Sequence, residues 1–267
     1  MPEMPSSSTS IRVFLVALAG TLLLPLVLFE LVLAFPALRQ SLGPWVTYLS
    51  SAGIMALAWW ALSREKLPLA AIGWTLPRFL QAVVGILVGW ALWGAVLMGL
   101  RLLRPEAQWH IGITSPRSII TYWLFVGLGE EMIFRGYIFI WLARFFQARG
   151  KHGVVWGMIL SSLLFALAHI PQRILVLQMA PWDRAMLLSL GMVFLLGLYQ
   201  AWIFYRSGNI FWAGFVHGGG DAPLLSFGAQ DPVTGIGSMV VFLFLTEVLR
   251  RRFGGMSVAR SRIINPS

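Results

Sequence analysis

SIITYWLFVGLGEEMIFRGYIFIWLARFF, residues 118–146, is an apolar run long enough to cross a bilayer, yet it carries Glu130, Glu131 and Arg135 near its centre. An ionisable group at bilayer depth costs about 2.5–3.5 kcal/mol on insertion scales, so each one needs a reason. Helical spacing supplies part of it. Glu131 and Arg135 are four apart, share a face and can pair, whereas Glu130 points about 100° away and is not drawn into that pair. One acid is neutralised and the other is left free. Desolvation disfavours the charged form of an unpaired carboxylate, which suits such a group to general-base work near neutral pH. The structural alternative is a buried ion-pair lock between helices; Arg135 with one Glu would satisfy it, and the second Glu would remain unexplained.

Apolar stretches recur on both sides of this run. The 267 residues are 58% hydrophobic and 11% charged, with a mean hydropathy of +0.78, against about 25% charged residues in a soluble domain. Spans are expected near 12–34, 44–63, 78–100, 118–146, 153–170, 185–205, 209–222 and 233–249. The reading is an all-α polytopic membrane protein with about eight transmembrane helices. Residues 1–10, rich in Ser and Pro, read as a disordered tail, 11–249 as a single transmembrane domain, and 250–267 as a basic cytoplasmic tail. The seventh span is short, and Gly218, Gly219 and Gly220 interrupt it, so a broken helix lining a wet cavity is expected there.

A formal net charge of +10 would raise nucleic-acid binding in a soluble chain. Here the basic residues flank spans, so membrane lipids are the expected partners and nucleic acid is not. Lys and Arg fall unevenly on alternate sides: thirteen, including Arg64, Lys66, Arg144 and Arg250 to Arg252, against six, including Arg39, Arg101, Arg173 and Arg184. That imbalance places both termini in the cytoplasm, as an even number of spans requires. The sequence has no Cys, which excludes disulfides, thiolate metal sites and a cysteine nucleophile. Chemistry must come from carboxylates, imidazoles or hydroxyls.

Beyond the acid pair, His169 closes the fifth span after Phe165, and His217 stands four residues before Asp221 in the seventh. A lone His near a helix end serves as an interfacial cap or as a catalytic base. His217 and Asp221 share a face if the helix persists, and the three glycines between them serve close packing or the approach of a substrate backbone. At about 1.5 Å per residue Glu130 and His169 lie level in antiparallel helices, whereas His217 is too close to its helix start unless that helix begins below the surface or tilts.

Together, Glu130-Glu131-x-x-x-Arg135, Phe165-x-x-x-His169 and His217-x-x-x-Asp221 resemble the three signature motifs of the CPBP (CAAX protease and bacteriocin-processing) family, in the family's order and on separate helices. The resemblance implies an eight-helix intramembrane protease with a core of helices four to seven, acting on a membrane-associated peptide or protein. It implies that Glu130 with His169 activates water, that Glu131 and Arg135 support and orient, and that His217 with the residue at 221 stabilises the oxyanion. Asp221 stands where many relatives have Asn; an Asn amide donates directly, whereas Asp donates only when protonated, or instead orients His217 or binds metal. Glu130, His169 and His217 also make a candidate zinc set with an open position for water, and metal-free general-base catalysis stands beside it. Two other classes fit the same buried polar groups: a scaffold or immunity protein that uses them for binding, and a proton-coupled transporter.

Overall fold

Where lipid surrounds a chain, every backbone N–H and C=O must be satisfied within the segment, so apolar runs of this kind fold as helices. A computed structural model describes residues 8–103, 111–150, 152–227 and 232–253. In chain order, α1 is Ser8–Ala34, α2 Pro36–Leu42, α3 Val46–Arg64 and α4 Leu76–Leu103. Strand β1 is Ile111–Ile113, and α5 is an unbroken helical run over 116–147. Then come α6 Gly153–Ala168, a π-helical turn Gln172–Val176, α7 Arg184–Ser207, α8 Ile210–Asp221, β2 Leu225–Phe227 and α9 Pro232–Phe253. The all-α expectation holds. The β element among the described residues is one antiparallel pair, Ile111 opposite Phe227 and Ile113 opposite Leu225.

Helices occupy all eight expected intervals, and length and composition single out five as able to cross a membrane: Ser8–Ala34, Val46–Arg64, Leu69–Leu103, Gly153–Val176 and Arg184–Ser207. The expected fourth span, α5, carries Glu130, Glu131 and Arg135 together, and the seventh, α8, is a 12-residue helix. Residues 8–10 belong to α1, and Ser10 is buried rather than part of a disordered tail. The rest of that expected tail, 1–7, and most of the basic one, 254–267, lie outside the described residues.

Two helices are enclosed on all sides. In α5 every residue from Met132 to Arg144 is buried, and in α8 every residue from Ile210 to Val216 is. A helix apolar all round belongs inside other helices, and α5 packs among α3, α6 and α8. By contrast α6 and α7, which also belong to the expected core, turn Leu163, Leu167, Leu187 and Leu188 outward, and α1 and α4 do the same with Leu15 and Val84. Contiguous outward apolar surface on this scale is what a lipid-facing protein presents.

The short α8 starts inside the protein. Gly208, at φ +58°, ends α7. Asn209, itself buried, then caps α8 through Oδ1, which accepts from the N–H groups of Phe211 (3.1 Å) and Trp212 (3.2 Å), while its Nδ2 donates to the Arg78 carbonyl (2.8 Å). The expected break at Gly218, Gly219 and Gly220 is absent: α8 continues through them to Asp221. The first of them serves packing. A methyl on Gly218 would overlap the Tyr122 carbonyl oxygen and stand 2.5 Å from Trp123 Cα, and one on Gly214 would stand 2.9 Å from Leu128 Cα. The Gly214-x-x-x-Gly218 spacing thus lets the backbones of α8 and α5 touch.

Candidate active site

That backbone contact sets His217 against the acid pair. The two acids lie on Leu128–Glu131, a turn of α-helix bracketed by π-helical stretches Ile120–Gly127 and Met132–Phe139. π-Helical turns are rare and concentrate at functional sites. Glu131 is fully buried and doubly engaged: Oε1 lies 3.2 Å from Arg135 Nη1 and accepts from His217 Nδ1 at 2.9 Å. The expected pairing of Glu131 with Arg135 is therefore present, and the hydrogen bond from His217 joins it.

Arg135 is buried too. Its Nη2 donates to the Gly197 carbonyl of α7 (2.9 Å), and its guanidinium carbon sits 4.5 Å from the centre of the Phe165 ring. Phe165 in turn meets His169 edge-on at 4.6 Å between ring centres and His217 at 5.8 Å. One aromatic ring therefore contacts both imidazoles and carries the arginine on its face. The sequence quotes Phe165 only as part of a motif; its contact with these groups is a tertiary fact.

Glu130 differs from its neighbour. Its side chain is 23% exposed, its Oε2 lies 3.7 Å from His217 Nε2, and that oxygen accepts no hydrogen bond from the described residues. Asp221, 43% exposed, also places Oδ2 3.7 Å from His217 Nε2. Both separations exceed hydrogen-bond length and suit a bridging water or a substrate atom. Three carboxylates thus surround one imidazole, one in contact and two at its open nitrogen.

The hydrogen-bond partners assign the tautomers of the neutral rings. A carbonyl and an ionised carboxylate only accept, so His169 donates Nδ1–H to the Phe165 carbonyl (2.8 Å) and His217 donates Nδ1–H to Glu131. In both rings Nε2 is left for chemistry. His169 has no carboxylate within 4 Å among the described residues, so the acids nearest an imidazole Nε2 are Glu130 and Asp221, each 3.7 Å from that of His217. Nor are three His, Cys, Asp or Glu of the described residues placed together so as to hold a metal ion. Glu130, His169 and His217 do not form a zinc-holding trio in this arrangement.

Residues 113–222 match the family model described as type II CAAX prenyl endopeptidase Rce1-like. The match runs from the end of β1 through α8 and contains all six residues singled out above. The comparisons with curated proteins and with solved structures found no match. The apolar helices together with this match make the protein an integral membrane protein. Residues 113–222 are thus similar to Rce1-like endopeptidases of the CPBP family, a likeness that suggests CAAX-type intramembrane endopeptidase activity.

Proposed function

We propose that this protein is an intramembrane endopeptidase that hydrolyses a peptide bond in a membrane-associated peptide or protein, with Glu130 as the general base. The observation that carries this reading is the division of labour between adjacent acids. Glu131 is fully buried with Oε1 held by Arg135 and His217, while the Glu130 side chain is partly exposed and its Oε2, 3.7 Å from His217 Nε2, accepts no hydrogen bond from the described residues. Glu130 takes a proton from water as the water oxygen attacks the carbonyl carbon, and returns it to the leaving amine. His169, with Nε2 unprotonated, shares in holding that water.

His217 stabilises the oxyanion as an imidazolium, donating from Nε2 while Nδ1–H stays on Glu131. Asp221 at 3.7 Å orients that ring as a carboxylate, which is the role open to Asp where an Asn amide would donate. Zinc on Glu130, His169 and His217 would require those side chains to converge, so no step is routed through it.

The test is cleavage of membrane-anchored peptides by the purified protein in liposomes. The parent cleaves and Glu130→Gln does not; a Glu130→Gln protein that cleaves as well as the parent overturns Glu130 as the base, and a parent that cleaves no such peptide leaves the binding role of a scaffold or immunity protein. The Lys and Arg distribution further supports two cytoplasmic termini. Reporters fused to each end will read the same side; opposite sides would mean an odd number of crossings.

A further inference from the structure

Three consecutive carbonyls follow Asp221, and each accepts a hydrogen bond from the chain that leads into and begins α5. Trp123 donates Nε1–H to the Ala222 carbonyl (2.9 Å), the Thr114 hydroxyl donates to that of Pro223, and the Thr114 N–H to that of Leu224 (3.4 Å). The bond nearest the site is the one from Trp123. Its indole is buried, with its ring centre 6.1 Å from that of Phe215, two residues before His217. Its backbone belongs to the α5–α8 contact, because a methyl on Gly218 would stand 2.5 Å from Trp123 Cα.

The last turn of α8 needs such a hold. Asp221 ends the run Gly218, Gly219, Gly220, and glycine is the poorest helix former after proline because it gives up the most backbone freedom. Local sequence therefore does little to keep that turn helical as far as Asp221. Ala222 leaves the helix at φ −133° and ψ 77°, although its N–H still reaches the Gly218 carbonyl (2.8 Å). Carbonyls at a helix end lack partners within the helix, and the one on Ala222 is where Trp123 takes hold. Asp221, one residue earlier, sets Oδ2 3.7 Å from His217 Nε2. Among the described residues its carboxylate has no hydrogen-bond partner of its own, so the backbone aims it.

We propose that Trp123 is a positioning residue for the reaction: by holding the Ala222 carbonyl it keeps the glycine-rich last turn of α8 formed and Asp221 turned toward His217. This rests on the endopeptidase reading above and on the orienting role it gives to Asp221.

The experiment is a double-mutant cycle on cleavage of a membrane-anchored peptide in liposomes, with Trp123→Phe and Asp221→Ala alone and together. Trp123→Phe keeps an aromatic ring and removes the donor. Its kcat is expected to fall about 10-fold, the scale of one buried hydrogen bond, with KM within about twofold of the parent. In the Asp221→Ala background the same change should alter kcat by less than about twofold, because the group it positions is gone. Equal falls in both backgrounds mean a packing role alone and overturn the proposal, as does a Trp123→Phe protein with parental kcat. Benzothienylalanine at position 123 swaps the ring N–H for sulfur at nearly the same shape, so it removes the donor without leaving a void, and the same fall in kcat is expected. Hydrogen exchange reads the turn apart from activity: the Ala222 amide should exchange faster in Trp123→Phe, and an unchanged rate overturns the proposal. An Asp221→Ala protein as active as the parent overturns the role of Asp221 and this proposal with it, leaving Glu130 as the base. A parent that cuts no peptide overturns the protease reading as well.

Discussion

Helix α5 carries two buried polar clusters, and they differ in what they leave open. Toward its C-terminal end, Trp141 donates Nε1–H to Ser10 Oγ (2.9 Å), and Ser10 donates to Glu65 Oε1 (2.7 Å) at the end of α3. Arg144 is buried within electrostatic reach of Glu65. This cluster joins α1, α3 and α5, contains one acid and no imidazole, and presents no exposed acid. At the other, Glu131 and Arg135 are equally buried and His217 is part-buried, but they end on Glu130 and Asp221, two acids that reach the surface beside an open imidazole nitrogen. Burial of charge alone therefore does not mark a site; a free, partly exposed acid added to a satisfied one does.

Substitutions can break this contrast, starting with the largest effect. Glu130→Gln should lower peptide cleavage by about 10²- to 10⁴-fold, the usual range for loss of a general base, with the melting temperature of the detergent-solubilised protein unchanged. An equal loss of stability would make Glu130 part of a lock like that at Glu65.

Gly218→Ala should come next, because its methyl would push the Tyr122 carbonyl away and move His217 off the acids; about 10²-fold loss of activity accompanies a displacement near 1 Å. A Gly218→Ala protein with parental cleavage would mean that the α5–α8 contact does not position the site.

Glu131→Ala leaves Arg135 buried without its acid, which costs about 3–5 kcal/mol. Glu65→Gln keeps an acceptor for Ser10 and should cost about 1 kcal/mol, with cleavage per folded molecule unchanged. Thermal unfolding of both variants checks the ordering, and a reversed order would assign the larger structural burden to the Ser10 cluster. Smallest of all is Gly220→Ala, where nothing lies within 4 Å of the added methyl; cleavage and melting temperature should match the parent.

Much of this was legible locally. An apolar chain with sparse charges reads as an all-α membrane protein because lipid leaves the backbone no other partners. Glu131 meeting Arg135, and His217 lying on the same face as Asp221, follow from 3.6 residues per turn and need no knowledge of any other helix. The expected break in α8 failed for an identifiable reason. Conformational freedom suggests the break, but of the uses open to these glycines Gly218 serves close packing: its missing Cβ allows the approach of α5, and packing holds the helix straight through it. The signal for that use was present in the Gly214-x-x-x-Gly218 spacing.

What only the tertiary structure decided is which imidazole meets which acid. His217 and Glu131 are 86 positions apart, and no periodicity of either helix predicts that Nδ1 of His217 goes to Glu131, that Nε2 faces Glu130, or that Phe165 contacts both His217 and His169. Spacing along one helix determines which side chains share a face. Whether two faces meet, and at what depth, depends on where the backbones touch, and that was settled by glycines at the α5–α8 contact and by a helix that begins inside the protein.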